Sequence, residues 1–189
     1  MVDKVTIDAE LHAQKQWNLT PCGSVPSNSI DLEYFLTVEK ERYQEQDWQL
    51  DFFPFDQYLN KKVLEIGIGH GTDLMQFARN GAVCHGVDIT EKHLELTAQN
   101  FNLQNKSVTL TKTSAIVLPY ESNSLDCIYS FGVIHHIPEA HKVLEECYRV
   151  LKPGGKIIIT NYYKHSAFHY FIKILHDGLI KRRLFSLIM

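Results

Sequence analysis

The chain has 189 residues, 44% hydrophobic and 22% charged, with a formal net charge of -3 and a pI near 6.3. That length suits one compact domain with short extensions, and the composition is that of a globular protein with a core. The acidic balance argues against a general affinity for nucleic acid, whose phosphates demand a basic face, so no nucleic-acid partner is expected.

Residues 1–30 carry many turn formers and no clear period, and read as an irregular arm. Ser29 or Asp31 can cap a helix over 32–44, with Leu32, Tyr34, Phe35 and Val38 apolar. A short aromatic-rich helix over 50–59 follows, interrupted at Pro54. Regular alternation then begins. Residues 62–66 read as a strand, followed by a glycine-rich turn and a helix over 72–80 that Gly81 terminates. Residues 83–87 form a second strand ending at Asp88, and the next helix carries Leu94, Leu96, Ala98 and Phe101. Strands at 108–111 and 125–131 follow, then a helix from Pro138, a break at 152–155 and a fifth strand at 157–160.

Strands alternating with helices at this spacing predict an α/β fold: a Rossmann-like, mostly parallel sheet with helices on both faces. The strand centres are nearly continuous apolar runs, as buried parallel strands should be. Cys84 and Cys127 sit inside two of them and are expected to be buried; the four cysteines are scattered, and no metal site is expected. The N-terminus lacks the apolar stretch of a secretory signal and no run is long enough to span a bilayer, which points to a cytoplasmic location.

The strongest chemical signal is the stretch 63–74, where Gly67, Gly69 and Gly71 alternate between a strand and a helix. Glycine allows the sharp turn and close ligand approach that this junction needs, and the helix N-terminus beyond it offers unpaired N–H groups. Asp88 closes the second strand, where a carboxylate can accept hydrogen bonds from vicinal ribose hydroxyls. A dinucleotide G-x-G-x-x-G pattern would need glycine where Thr72 stands, and it does not call for Glu65 two residues before the first glycine.

The order acid-x-G-x-G-x-G, from Glu65 to Gly71, resembles motif I of the class I S-adenosylmethionine-dependent methyltransferases. The segment 113–120 resembles that family's G-D-A-x-x-L-P-F stretch, 124–136 its fourth strand and exit into the active site, and 151–155 its L-K-P-G-G element. The resemblance covers about residues 60–162 and implies S-adenosylmethionine as cofactor and a small-molecule methyl acceptor. It implies that the glycine loop surrounds the methionine portion, that Glu65 helps position its amino group or a nearby water, and that Asp88 holds the ribose. Ile89 would pack on the adenosine, and Phe131 belongs to the same cofactor-binding set. Where the family usually has an acid toward the adenine amino group this chain has Ser114, so its hydroxyl or the backbone at Ala115 takes that place.

Methyl transfer from a sulfonium needs alignment and exclusion of water more than a fixed triad. If a base is needed, His136 and then His135 are best placed, each with the alternative of capping or packing the following helix. His70 reads as a solvent-facing ring, and Asp73 and Glu91 as acids answering the helix dipole. Trp17, the stretch 21–24, Tyr34, Phe35 and Tyr43 resemble the N-terminal extension of a bacterial methyltransferase subgroup; such an arm folds over the cofactor as a lid, or simply packs its helix on the sheet.

Three segments follow: an arm with lid-like helices over 1–59, a cofactor-binding core over 60–163 and an amphipathic helical tail over 164–189. No strand pair in the tail supplies the family's sixth and seventh strands, so they are expected to be missing or incomplete. Its basic, apolar end leaves open truncation or a weak membrane or protein contact. The oligomeric state is not legible. A nicotinamide-dependent oxidoreductase and a non-catalytic S-adenosylmethionine-binding protein are the alternatives.

Overall fold

The structure, a computed structural model, describes residues 4–161. The tail, and with it the expectations about strands six and seven and a membrane or protein contact there, lies outside the described residues. Strands β1 (Lys62–Ile66), β2 (Val83–Asp88), β3 (Val108–Lys112), β4 (Leu125–Phe131) and β5 (Leu151–Thr160) form one sheet in the order β3-β2-β1-β4-β5, parallel throughout.

Alternation along each strand builds two cores. Val63, Cys84, Cys127 and Tyr129 point to one face, where helix α4 (Thr72–Arg79) and Phe101 of helix α5 (Glu91–Leu103) cover them. Leu64, Ile66, Val87 and Ile128 point to the other, under helix α6 (Ala140–Val150) and its Val143, Cys147 and Val150. With both faces covered, most positions at the centre of the sheet are apolar, which is why β1, β4 and β5 carry nearly continuous hydrophobic runs. Cys84 and Cys127 are buried, as expected, and so is Cys147. Among the described residues no helix is long and apolar enough to cross a membrane.

The chain runs outward from β1 through β2 to β3 and then returns to the opposite side of β1 as β4. The connections therefore part at the carboxyl ends of β1 and β4, which opens a crevice there.

Three local differences from the sequence reading have clear causes. The arm is not irregular throughout, because Lys4–Leu19 is a helix, α1. Its apolar periodicity is weak; its place comes from docking on α5, where Asn18 accepts the Lys92 backbone N–H at 3.2 Å, and from Ser114, whose hydroxyl meets the Glu10 carboxylate. Tertiary contact supplies what a marginal isolated helix lacks. The fifth strand begins earlier than expected, at Leu151, and the Lys-Pro-Gly-Gly stretch is a bulge inside it: Leu151 pairs with Leu125 and Lys156 with Cys127. Before α6, residues Ile134–His136 form a 3-10 turn, so the helix starts at Ala140 rather than at Pro138.

Helix α2 (Leu32–Glu45) is capped by Asp31, whose Oδ1 accepts the Tyr34 N–H at 3.0 Å, and packs Tyr34, Phe35 and Val38 against Leu96 of α5. Short helix α3 (Trp48–Phe52) and a 3-10 turn at Phe55–Tyr58 then bring aromatic rings under β4.

Candidate functional site

A cleft of about 590 Å³ lies at the carboxyl ends of β1, β2 and β4, roofed by residues of α1 and α2. Of the residues singled out in the sequence, Glu65, Gly67 and Gly69 line its floor, Asp88 and Ile89 one wall, and Ala115, Phe131 and His136 the remainder.

Three expected site residues do not line the cleft. Gly71 caps α4 at φ +71, and a Cβ there would stand 2.7 Å from Thr97, so packing against α5 explains this glycine rather than ligand approach. The Ser114 hydroxyl is turned to the Glu10 carboxylate, leaving the neighbouring Ala115 to face the cleft. His135 is exposed on the outer side of the 3-10 turn, with Nδ1 3.3 Å from Asn161 Oδ1.

The glycine loop is held from outside. Thr97 donates to the Gly69 carbonyl at 3.2 Å and Asn100 to the His70 carbonyl at 2.8 Å, both from the buried face of α5. At Gly67 (φ +78) a Cβ would meet Val133 at 2.3 Å, whereas at Gly69 it would meet nothing. The loop therefore has one position locked by packing and one bare position open to the cleft.

Glu65 is buried at the end of β1, and its Oε2 has no hydrogen-bond partner. Burial above all, and then the negative charge of Asp73, raise its carboxyl well above the usual carboxylate range, while Arg42 and the Leu74 backbone N–H pull the other way. An orphaned acid in a closed cleft is a site prepared for a cationic or hydrogen-donating group.

Asp73 is more than an acid at a helix start. It is 3% exposed and accepts from Arg42 Nε at 2.7 Å, from Arg42 Nη2, from the Tyr43 hydroxyl at 2.8 Å and from the Tyr129 hydroxyl at 2.9 Å. Burial first, then the Asp73 charge, keep both phenols protonated. The Arg42 guanidinium also lies 4.6 Å from the centre of the Phe131 ring. This hub ties α2 to α4 and β4, and Tyr43 serves it rather than the cleft lining. Glu91, by contrast, is an exposed acid paired with Lys112 at 2.8 Å.

His70 also differs from expectation. Its ring is 4% exposed, with Nε2 2.9 Å from the Tyr34 hydroxyl and a hydrogen bond to the Cys22 carbonyl, so it joins the glycine loop to the arm. Burial, with a smaller push from His93, lowers its pKa from 6.5 to about 4. Above pH 6.5 the ring is neutral in both folded and unfolded chains; below it the unfolded chain gains a proton the folded one resists. Stability should therefore fall by roughly 3 kcal/mol between pH 7 and pH 4 on this account alone. Urea unfolding across that range checks it, and His70→Gln should flatten the dependence; an equally steep loss in that variant would assign it to other groups.

His93 is not among the residues singled out in the sequence. It is buried, lines the cleft, and places Nδ1 3.1 Å from Asp88 Oδ2, while Asp88 Oδ1 accepts the Thr90 N–H at 2.8 Å. His136 is exposed at the cleft mouth beside His135, with ring centres 4.0 Å apart; partial burial and the neighbouring ring lower its pKa below 6.5. Among the described residues no group of His, Cys, Asp and Glu is arranged to hold a metal ion.

The sequence model described as "Methyltransferase domain" matches residues 64–159. Phosphoethanolamine N-methyltransferase 2 of Caenorhabditis elegans is 36% identical over 104 residues, 54% of this chain and 24% of that protein. Ubiquinone biosynthesis O-methyltransferase of Coxiella burnetii is 23% identical over 148 residues, 78% of this chain and 57% of that protein. The chain thus spans well under two thirds of these relatives' lengths. The YcgJ structure from Bacillus subtilis superposes with a TM-score of 0.57 at 25% identity, covering 65% of this chain and 54% of that one. Phosphoethanolamine N-methyltransferase 1 of Haemonchus contortus, solved with phosphoethanolamine and S-adenosylhomocysteine, gives 0.66 at 19% identity over 87% of this chain and 34% of that one, a likeness of fold.

Proposed function

The chain belongs to the methyltransferase-domain family, and on that premise we propose that it is an S-adenosylmethionine-dependent methyltransferase acting on a small-molecule acceptor. The observation that carries this reading is that Glu65 and Asp88, closing adjacent strands, open into one cleft with bare Gly69 between them. The donor set suits the cofactor: Glu65 Oε2 lacks a partner and would take its ammonium group, Asp88 its ribose hydroxyls, and Ile89 and Ala115 would flank its base. Arg42 is the only lysine or arginine lining the cleft among the described residues, and Asp73 neutralises it, so the surroundings favour a cation.

Bound there, the cofactor supplies a methyl group already activated on sulfur. The protein's own work is to hold the donor, exclude water and present the acceptor. In this reading the arm over 1–59 serves as the lid through α1 and α2, whose residues roof the cleft, and the segment 60–163 is the binding core. His136 at the mouth takes a proton from an acceptor hydroxyl or amine; its lowered pKa keeps the ring neutral, hence basic, at neutral pH. Neither Gly71, Ser114 nor His135 has a direct part.

The test begins with calorimetric titration of S-adenosylhomocysteine. Binding by the wild type, weakened by about 1–3 kcal/mol in Asp88→Ala, is the expected result; unchanged affinity in the variant removes the ribose role. Turnover on a panel of hydroxyl and amine acceptors then separates an enzyme from a non-catalytic binding protein, and titration with NAD addresses the oxidoreductase alternative. The cytoplasmic placement is supported by four cysteines that form no disulfide, and cell fractionation tests it.

A further inference from the structure

Asp88 is the residue given the sugar, yet each of its oxygens is already engaged: Oδ1 by the Thr90 backbone N–H and Oδ2 by His93 Nδ1. A carboxylate only accepts, so His93 Nδ1 carries the hydrogen, and a neutral ring is left with a bare lone pair on Nε2. That nitrogen is buried and has no hydrogen-bond partner, although the ring lines the cleft. The neighbouring His70 cannot supply one, since its own nitrogens serve Tyr34 and Cys22. A buried acceptor left unpaired costs free energy that a structural brace for Asp88 alone would not require.

We propose that His93 is a second nucleoside-recognition residue, whose Nδ1–H sets the Asp88 carboxylate toward the sugar while Nε2 accepts a hydrogen from a hydroxyl of the bound ribose. The inference rests on the cofactor reading above and adds to it a residue outside the glycine loop. Each Asp88 oxygen keeps a free lone pair beyond its present bond, and Nε2, on the other side of the ring from Asp88, adds a third acceptor. An aliphatic side chain in the same place would fill the space but leave Asp88 free to turn away and the hydroxyls one acceptor short.

The experiment compares S-adenosylhomocysteine with its 2′-deoxy and 3′-deoxy analogues by calorimetry on the wild type, His93→Leu, His93→Asn and Asp88→Ala, each checked for folding by circular dichroism. The wild type should favour the full ribose over at least one deoxy analogue. His93→Leu should lose about tenfold or more in affinity for the full ribose, with less loss for the analogue, so that the ratio narrows. His93→Asn, which keeps a donor at the Nδ1 position, should fall between. An unchanged ratio in His93→Leu, or an equal loss for all ligands, overturns the proposal as a structural effect. Failure of the wild type to bind S-adenosylhomocysteine at all, or full binding by Asp88→Ala, instead sinks the cofactor reading and this inference with it.

Discussion

Replacing Asp73 with alanine is expected to lower the unfolding free energy by about 3 kcal/mol, a fall of roughly 6–12 °C in Tm for a domain of this size. The carboxylate takes donors from three residues on two elements, α2 and β4, so its loss strands the Arg42 guanidinium and the Tyr129 hydroxyl, the latter fully buried. Breaking a buried charge pair by removing one member costs more than the pair contributes when intact, because the remaining group is left desolvated. The Arg42 side chain keeps 26% of its surface in solvent, which holds the figure at the low end of the range for such pairs. Loss of the hub should also loosen α2, read out as faster amide exchange in residues 32–45 than in β1 or β4. A change under about 1 kcal/mol with unaltered exchange would reduce the network to decoration.

Gly67→Ala is the second large effect, again near 3 kcal/mol. The residue sits at φ +78, where an L side chain costs about 1–2 kcal/mol. Its Cβ would stand 2.3 Å and 2.8 Å from the two Val133 methyl carbons, and overpacking of that kind adds about 1–3 kcal/mol. A double variant separates the parts: Val133→Ala removes the clash, so Gly67→Ala in that background should cost only the backbone share. Equal losses in both backgrounds would mean that the clash contributes nothing. Because the Gly67 N–H donates to the Val87 carbonyl at 2.9 Å, a shift here displaces the floor between Glu65 and Asp88. S-adenosylhomocysteine affinity should therefore fall along with stability.

The succession of strands and helices and the place of the cleft were written in local residue patterns. Strands buried on both faces favour apolar residues at their centres, and a strand–glycine–helix junction with carboxylates at two strand ends is local information. Gly67, Gly69 and Asp88 were legible for that reason, Glu65 and Ile89 through the family resemblance, and all five line the cleft. The partnership of polar side chains distant in sequence emerged only with packing. Asp73 looks like an ordinary first-turn acid until Tyr43, Arg42 and Tyr129, 30, 31 and 56 positions away, converge on it. His70 looks solvent-facing until α2 brings Tyr34 over it, and Ser114 is diverted by Glu10 from a helix whose own periodicity is too weak to announce it. Hydrophobic burial follows a period that a single segment displays, whereas a hydrogen bond between remote side chains exists only once packing has removed the water that would otherwise compete for it.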